Sequence, residues 1–435
     1  MSDLHAETVP YVARTRFEPQ PPPVASSGVL GWMTQNLFSS ISNTIVTVLA
    51  IALILYMLPG MLEWAVFHSV WNASSIKECR DIITASFGEG ATGACWAVIH
   101  ERFGQFIYGY YPVSLRWRPD VAFLLLVVAM VPVLFRTMRP LAYAMGGLLA
   151  IKLLIALYDV MTGAKVEVLT GPTTVLAVIA GILALVVGGE KQRPYWIWFT
   201  LIYPVIAYFL LWGGLVLQPV DSSKFGGFLL TAVIGVTGIA GSLPLGILLA
   251  LGRRSMLPIV RTVCVIFIEF IRGVPLITLL FVASTLLNYF LPPGTNFNIV
   301  LRVLIMVTLF ASAYMAEVIR GGLAALPKGQ YEAADALGLG YWQSMRLIIL
   351  PQALKISIPG IVNTFIGLFK DTTLVSIIAL QDPLGLMKPI LANSTWNGIV
   401  WELYIFIAFM FFVCCFAMSR YSMFLEQRLR AADRR

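Results

Sequence analysis

The chain has 435 residues, of which 59% are hydrophobic and only 12% charged, and its mean hydropathy is +0.84. A soluble domain carries roughly 25% charged residues, so the polar surface is too small for water and lipid must be the solvent for most of the chain. The net charge of +8 reads as basic residues held on the cytoplasmic side of a membrane, not as a nucleic-acid platform, because no Lys/Arg stripe is interleaved with aromatics.

A bilayer core about 30 Å thick takes a helix of about 20 apolar residues. Long continuous apolar runs exclude the alternation of a barrel, and open sheets cannot hide their edges in lipid. The composition therefore predicts an all-α polytopic membrane protein. Residues 1–40 are polar, carry Pro19, Pro21, Pro22 and Pro23, and read as a disordered cytoplasmic tail without a cleavable signal peptide. About ten transmembrane helices follow, near 44–66, 121–137, 141–158, 172–189, 195–217, 227–251, 262–291, 299–319, 360–380 and 399–419. A count of eight or nine stays open at 172–189 and 195–217. The second and third runs are joined by Arg136–Pro140, short enough for a tight hairpin. The seventh run holds Glu269, Arg272, Gly273 and Pro275 and is expected to tilt or break near Gly273-Val274-Pro275.

Charge orients the spans. With a cytoplasmic N-terminus, alternate connections carry Arg14/Arg16, Arg136/Arg139, Lys191/Arg193, Arg253/Arg254/Arg261, Lys328/Arg346/Lys355 and the tail Arg420–Arg435, which places both termini inside. The 68–120 loop is expected outside, its basic residues diluted by Glu78, Asp81, Glu89 and Glu101. Two parts emerge: a membrane extension over 41–220 without an intramembrane charge cluster, and a five-span part over 226–420 with conspicuous charges. A basic cytoplasmic tail, 421–435, completes the chain.

Within the loop, Cys79 and Cys95 stand sixteen residues apart. In an oxidising compartment they form a disulfide worth about 3 kcal/mol; two free thiols are the alternative. Cys264, Cys414 and Cys415 lie in apolar runs and read as small hydrophobes. His5, His68 and His100 form no ligand cluster, so no metal is expected. No phosphate-cradling Gly-x-x-x-x-Gly-Lys-Ser/Thr and no nucleophile elbow occurs, so the chain is not expected to hydrolyse ATP or act as an enzyme.

Between the eighth and ninth runs, Leu326–Pro351 is too polar to cross lipid. Pro327 starts a helix, Gly338-Leu339-Gly340 breaks it, and Tyr341–Leu350 resumes it until Pro351 is expected to stop it. Physically this is a helical hairpin at the cytoplasmic surface. Ala333 and Ala334 allow close approach of another protein, Glu332 offers a fixed charge, and Gly338 permits reversal where a side chain would clash.

Glu332-Ala333-Ala334, then Gly338, then Ile348-x-Leu350-Pro351 resembles the EAA loop of ABC importer permeases. The resemblance extends over 226–420 in the pattern of polar-amino-acid permeases. Its pieces are Glu269-Phe-Ile-Arg-Gly-Val-Pro275, Ala313-Tyr-Met-Ala-Glu317 with Arg320-Gly-Gly322, Gly329-Gln-Tyr-Glu332 and Phe369-Lys-Asp-Thr-Thr-Leu374. Thr373 stands where the family usually has serine. Cys79-Arg-Asp, Gly93-Ala-Cys-Trp96, Tyr108-Gly-Tyr-Tyr-Pro112 and Arg116-Trp-Arg-Pro119 resemble the large permease of α-proteobacterial importers for glutamate, glutamine, aspartate and asparagine, or for L-amino acids broadly. The resemblance implies a type I permease core in the bacterial inner membrane, with Glu332, Ala333, Ala334, Gly338, Leu350 and Pro351 coupling to an ATPase. It implies a second homologous permease, two ATPase subunits that use ATP and Mg, and a periplasmic amino-acid-binding protein. No cofactor is expected on this chain.

An ionisable group at the bilayer centre costs at least about 2.5–3.5 kcal/mol, so such groups pair, snorkel or line a pathway. Lys370 and Asp371, flanked by Thr372 and Thr373, match the two charged ends of an amino acid, or else form a structural ion pair. Glu269 and Arg272 lie three apart and are positioned to pair directly, as do Glu317 and Arg320. Orienting the coupling loop and contacting substrate are both open for these residues. An ion-coupled secondary transporter is the rival reading, suited by Lys370 and Asp371 but not by the loop.

Overall fold

A computed structural model describes residues 28–433 apart from 136, 163–170, 191–192, 215, 287–288 and 290–297. Most of the expected N-terminal tail, Arg136, Lys191 and nearly all of the 292–298 connection lie outside the described residues. The first half contains α1 (Gly28–Asn36), α2 (Ile41–Leu62), α3 (Ile76–Phe87), α4 (Ala97–Tyr108), α5 (Trp117–Leu134), α6 (Arg139–Thr162), α7 (Pro172–Val186) and α8 (Arg193–Trp212). The second contains α9 (Gly227–Arg253), α10 (Pro258–Gly273), α11 (Leu276–Phe281), α12 (Ile299–Ala324), α13 (Lys328–Ala336), α14 (Tyr341–Ser344), α15 (Leu350–Asp371), α16 (Met387–Ala392) and α17 (Val400–Asp433).

Each of the ten expected apolar runs carries helix. Among the described residues, eight helical segments are long and apolar enough to cross a membrane: Ile41–Phe67, Val113–Leu134, Arg139–Leu157, Arg193–Trp212, Gly227–Arg253, Ile299–Ala324, Tyr341–Ile378 and Val400–Arg428. The seventh run breaks where expected, at Val274-Pro275, and Pro258–Gly273 meets Leu276–Leu286 at 102°. Proline denies the helix a donor, and its ring clashes with the preceding turn. Counted as one span, this pair makes nine. The run near 172–189 forms only a 15-residue helix, about 22 Å long at 1.5 Å per residue, short of the hydrocarbon core.

Two expectations are corrected. Residues 28–36, placed in the disordered tail, form α1, because Val29, Leu30, Trp32 and Met33 supply an apolar stretch there and Thr34 Oγ1 and Asn36 Nδ2 donate to the carbonyls of Gly31 and Trp32. The basic tail does not leave the last span at 421: α17 runs on to Asp433. The extension does carry polar contacts, though these are not a charge cluster. Lys152 Nζ of α6 donates to Thr173 Oγ1 at 2.7 Å and Thr174 Oγ1 at 2.9 Å, and Tyr108 donates to Asp120 in the first turn of α5 at 2.5 Å.

The described chain divides into two compact units, one taking in the chain up to Val70 with Arg80–Ala94, the other Trp71–Cys79 and Cys95 onward. In the first, α2 starts at Ser40, whose hydroxyl accepts from Asn43 N–H, and none of its residues is buried. A helix apolar on every side suits lipid.

In the second unit, α8 is tied to α5 by side-chain donors on backbone carbonyls: Thr200 Oγ1 to Ala129 at 2.6 Å and Tyr203 O–H to Ala122 at 3.0 Å. Such bonds act as polar glue where lipid gives no hydrophobic drive. Helices α9, α12 and α15 make a second layer around Ile234, Val307, Met315, Ile319, Ala353 and Leu368. They approach closely. A Cβ at Gly322 would overlap Ser357 Oγ and lie 2.5 Å from the carbonyl of Ala353.

The Gly227 end of this layer is stitched by backbone. Gly227 N–H donates to Gln381 O at 2.7 Å, and Gly109 bridges Phe225. Gly227 has φ +57°, and a Cβ there would collide with the carbonyl of Phe106, so both conformation and space require glycine. Farther along, Ile76 N–H donates to Thr395 O at 2.9 Å, Trp396 Nε1 to Glu101 at 2.9 Å and Cys95 N–H to Glu402 Oε1 at 3.0 Å. Cys79 and Cys95 are bonded to each other.

Candidate functional site

The chemistry-bearing residues gather at the Arg253 end of α9, α10 and α12, beside a short helical hairpin. Pro327 precedes α13, its fixed φ of −59° opening the first turn. Helix α13 turns Tyr331 and Ala334 inward, Ala334 being fully buried, while Glu332, Ala333, Asp335, Ala336 and Leu337 are exposed. Gly338 ends it at φ +69°, with Gly338 N–H donating to Asp335 O and Leu339 N–H to Ala334 O. This pair of bonds is a Schellman cap. The expected reason for Gly338 is corrected: a Cβ there meets nothing within 4 Å. The left-handed backbone, not crowding, calls for glycine.

The return strand of the hairpin also differs from expectation. Tyr341–Ser344 continues through a π-turn, Met345–Ile349, into α15, so helix runs from Tyr341 to Ile378 without stopping at Pro351. The wider turn ahead of Pro351 makes room for its ring, and its missing N–H falls in the first turn of α15. Leu350 is half-buried and Pro351 exposed. Together with Leu251, Trp342, Met345, Arg346 and Leu354 they line an apolar cleft of about 320 Å³.

Next to the hairpin lie three arginines and two glutamates from three helices. Glu317 accepts from Arg320 Nε at 2.8 Å and Nη2 at 2.5 Å, the expected pairing one turn apart. Glu269 and Arg272 do not pair with each other. Glu269 instead takes Arg253 Nη1 at 2.9 Å, and Arg272 reaches toward Glu317 at 3.7 Å. Arg253 Nη1 is also 3.4 Å from Glu317 Oε2. Sharing one guanidinium between carboxylates of α10 and α12 satisfies both, which the pairing within α10 would not. Arg254 ends the helix with φ −95° and ψ 0°, so its side chain leaves in another direction. Its Nη1 donates to Tyr331 O–H at 3.1 Å, with the guanidinium 5.8 Å from the ring centroid. Tyr331 O–H in turn donates to Leu323 O at 3.3 Å.

Lys370, Asp371, Thr372 and Thr373 sit elsewhere. They close α15 and start a 3₁₀ turn, Thr372–Ile378. Gly360 lies against Val318, whereas Phe369 and Thr372 lie against Gly235, so the Lys370 level is roughly 15 Å along the helices from the Glu317 level. The expected pathway residues thus form two groups. Lys370 is exposed and Asp371 half-buried, with no ion pair between them among the described residues. Thr372 and Thr373 donate to the carbonyls of Phe369 and Lys370. Sequence reasoning used Arg253 and Arg254 only as orienting charge and left Tyr331 as part of a motif. Two arginines exactly at a helix end were the available signal; their partners, 16 to 77 residues away, were not.

A family model for the binding-protein-dependent transport system inner membrane component matches residues 242–431. The glutamate/glutamine/aspartate/asparagine transport system permease protein BztC of Rhodobacter capsulatus is 51% identical over 98% of this chain and 99% of its own. The chain belongs to the amino-acid ABC transporter permeases. It is also 42% identical to the inner membrane amino-acid ABC transporter permease protein YhdY of Escherichia coli, over 94% of this chain and 95% of that one. The probable glutamine ABC transporter permease protein GlnM of Bacillus subtilis is 34% identical over 91% of its length but only 47% of this chain. Long and short permeases therefore share about half of this chain. The family match at 242–431 identifies α9–α17 as holding the permease core, and this permease is a multi-span inner-membrane protein.

Proposed function

We propose that this permease imports glutamate, glutamine, aspartate and asparagine, the set named for its relative at 51% identity, and is driven by separate ATPase subunits through the α13–α14 hairpin. The exposed face of α13 carries this reading. Tyr331 and Ala334 fasten the hairpin to the bundle, while Glu332 and the small Ala333 and Ala336 are left outward for a protein groove. The hairpin end faces the cytoplasm, as do both termini. A second, homologous permease completes the pathway, a periplasmic binding protein delivers substrate to the Gly227 end, and ATP and Mg bind on the ATPase subunits rather than on this chain. Nucleotide and substrate each favour one of two arrangements of α12 and α15, giving alternating access. Exposed Lys370 and half-buried Asp371 suit the carboxylate and ammonium of the substrate, whereas Thr372 and Thr373 shape the helix end.

The test is co-purification of the ATPase with wild type, Glu332→Arg and Gly338→Val, together with uptake of labelled glutamate and competition by the other three amino acids. Loss of assembly or of uptake in Glu332→Arg is expected. Intact assembly and uptake in both variants would remove the coupling role, and absence of competition would remove the substrate assignment.

A further inference from the structure

The neighbouring residues Arg253 and Arg254 leave the end of α9 in different directions and touch different machinery. Arg253 bridges Glu269 of α10 at 2.9 Å and Glu317 of α12 at 3.4 Å. Arg254 meets Tyr331 of the hairpin at 3.1 Å, and Tyr331 O–H is bonded to Leu323 O near the end of α12. The hairpin is thus joined by polar contacts to the ends of both α9 and α12. Two further features suit a joint that moves. Its bonds are side-chain contacts of partly exposed groups, with Arg253 25% and Glu269 53% exposed, so they re-form at low cost. The helices they join are rigid and closely packed, with a Cβ at Gly246 coming within 2.7 Å of Met315. A displacement of the hairpin therefore reaches α10 through a change of partners at these two arginines, while it reaches α12 and α15 also through Tyr331–Leu323 and through the chain itself.

We propose that Arg253 and Arg254 act as one transmission joint, Arg254 receiving the movement of the hairpin at Tyr331 and Arg253 passing it to Glu269 and Glu317. They are positioning residues, which contact neither nucleotide nor substrate. The ion pairs also explain why Glu269 and Arg272 stay unpaired with each other: each carries a cross-helix link, Glu269 to α9 and Arg272 to α12. The joint rests on the coupling role proposed for the hairpin.

The two links are in series, and that makes them testable. In the purified, assembled importer reconstituted into liposomes, the readout is glutamate taken up per ATP hydrolysed, for Tyr331→Phe, Arg253→Gln and the double variant. Tyr331→Phe keeps the ring and removes only the hydroxyl. Each single change is expected to lower the ratio about fivefold or more, the lower range of measured couplings between sites. The double variant is expected to be no worse than the worse single, because a chain broken once is not broken further. Arg253→Lys, which keeps the charge and, as Arg253 Nη1 does, sets one nitrogen between the two carboxylates, is expected to recover at least half of the loss. Single effects that multiply in the double variant, or ratios within twofold of wild type, overturn the joint. If Arg253→Gln fails to assemble, Tyr331→Phe with Glu269→Gln, which cuts the second link from its other side, gives the same series test. Tight ATPase assembly and full coupling in Glu332→Arg would instead sink the coupling role of the hairpin itself, so the two failures are distinguishable.

Discussion

At the Gly227 end of the bundle the chain is held by backbone hydrogen bonds, a disulfide and a fully buried tryptophan; at the Arg253 end it is held by guanidinium–carboxylate pairs on partly exposed side chains. The first set joins residues 76–109 to 225–227 and 381–402, and each bond has one fixed geometry. The second set shares three arginines between two glutamates, with Arg253 Nη1 in reach of both carboxylates. Under the function proposed above, one end keeps its shape for a delivering protein and the other responds to an ATPase, and the physical chemistry of the two ends divides in that way.

Stability measurements test the division, and the largest effect is expected at the stitched end. Trp396 is fully buried and donates to Glu101. Trp396→Ala is expected to cost about 3–5 kcal/mol in thermal or denaturant unfolding in detergent. A loss under about 1 kcal/mol would mean that the 381–402 connection is not clamped. Removing the disulfide by Cys79→Ser with Cys95→Ser closes no loop in the unfolded chain and is expected to cost about 3 kcal/mol. Reductant should destabilise the wild type by a similar amount and leave the double variant unchanged.

At the same end Asp382 is buried, and burial pushes its carboxyl up to about 6 despite N–H groups of Gly385 and Leu384 donating to it. The folded state therefore holds the proton more tightly than the unfolded chain does. Its contribution is complete below about pH 4 and is lost as pH rises through about 6, a change of order 3 kcal/mol. Asp382→Asn removes this slope. A pH–stability curve of the same shape in both proteins would assign the slope to other groups.

The sequence made much of this legible, and for identifiable reasons. Apolar runs read as helices because lipid leaves few alternatives. The break at Pro275 and the turn at Gly338 were visible because proline and glycine act locally. Pro351 misled because a π-turn, which no residue type announces, absorbs it. The pairing of Glu269 with Arg253 was hidden for a different reason. Spacing of three within α10 is a sequence fact, whereas the approach of α9 to α10 is a tertiary one. The Glu101–Trp396 and Cys95–Glu402 bonds, across almost 300 residues and more, were out of reach for the same reason.

A smaller effect is expected at the hairpin turn. Gly338→Val meets open space but must hold φ at +69°, which costs a branched residue about 1–2 kcal/mol. Because α13 is fastened through Tyr331 and Ala334, the strain should appear as faster local exchange of the Asp335–Leu339 amides, with the global midpoint nearly unmoved. Equal slowing or quickening across all amides would place the strain in the whole bundle instead.

The smallest stability change is expected where the largest effect on transport lies. Glu269 is 53% exposed on its side chain, and an exposed ion pair is worth roughly 0.2–1 kcal/mol. Glu269→Gln should therefore shift the unfolding midpoint little, and less still in high salt, which screens such pairs over about a Debye length. The same variant leaves Arg253 with Glu317 alone, so α10 loses its ion pair to α9 and uptake per ATP should fall well beyond what the stability change accounts for. Trp396→Ala, at the other end, should show the reverse proportion, with a large loss of stability and a coupling ratio near wild type in the molecules that remain folded. If Glu269→Gln and Trp396→Ala lose stability and coupling in the same proportion, the two ends are not differently built for their work, and the ion pairs are only another set of fasteners.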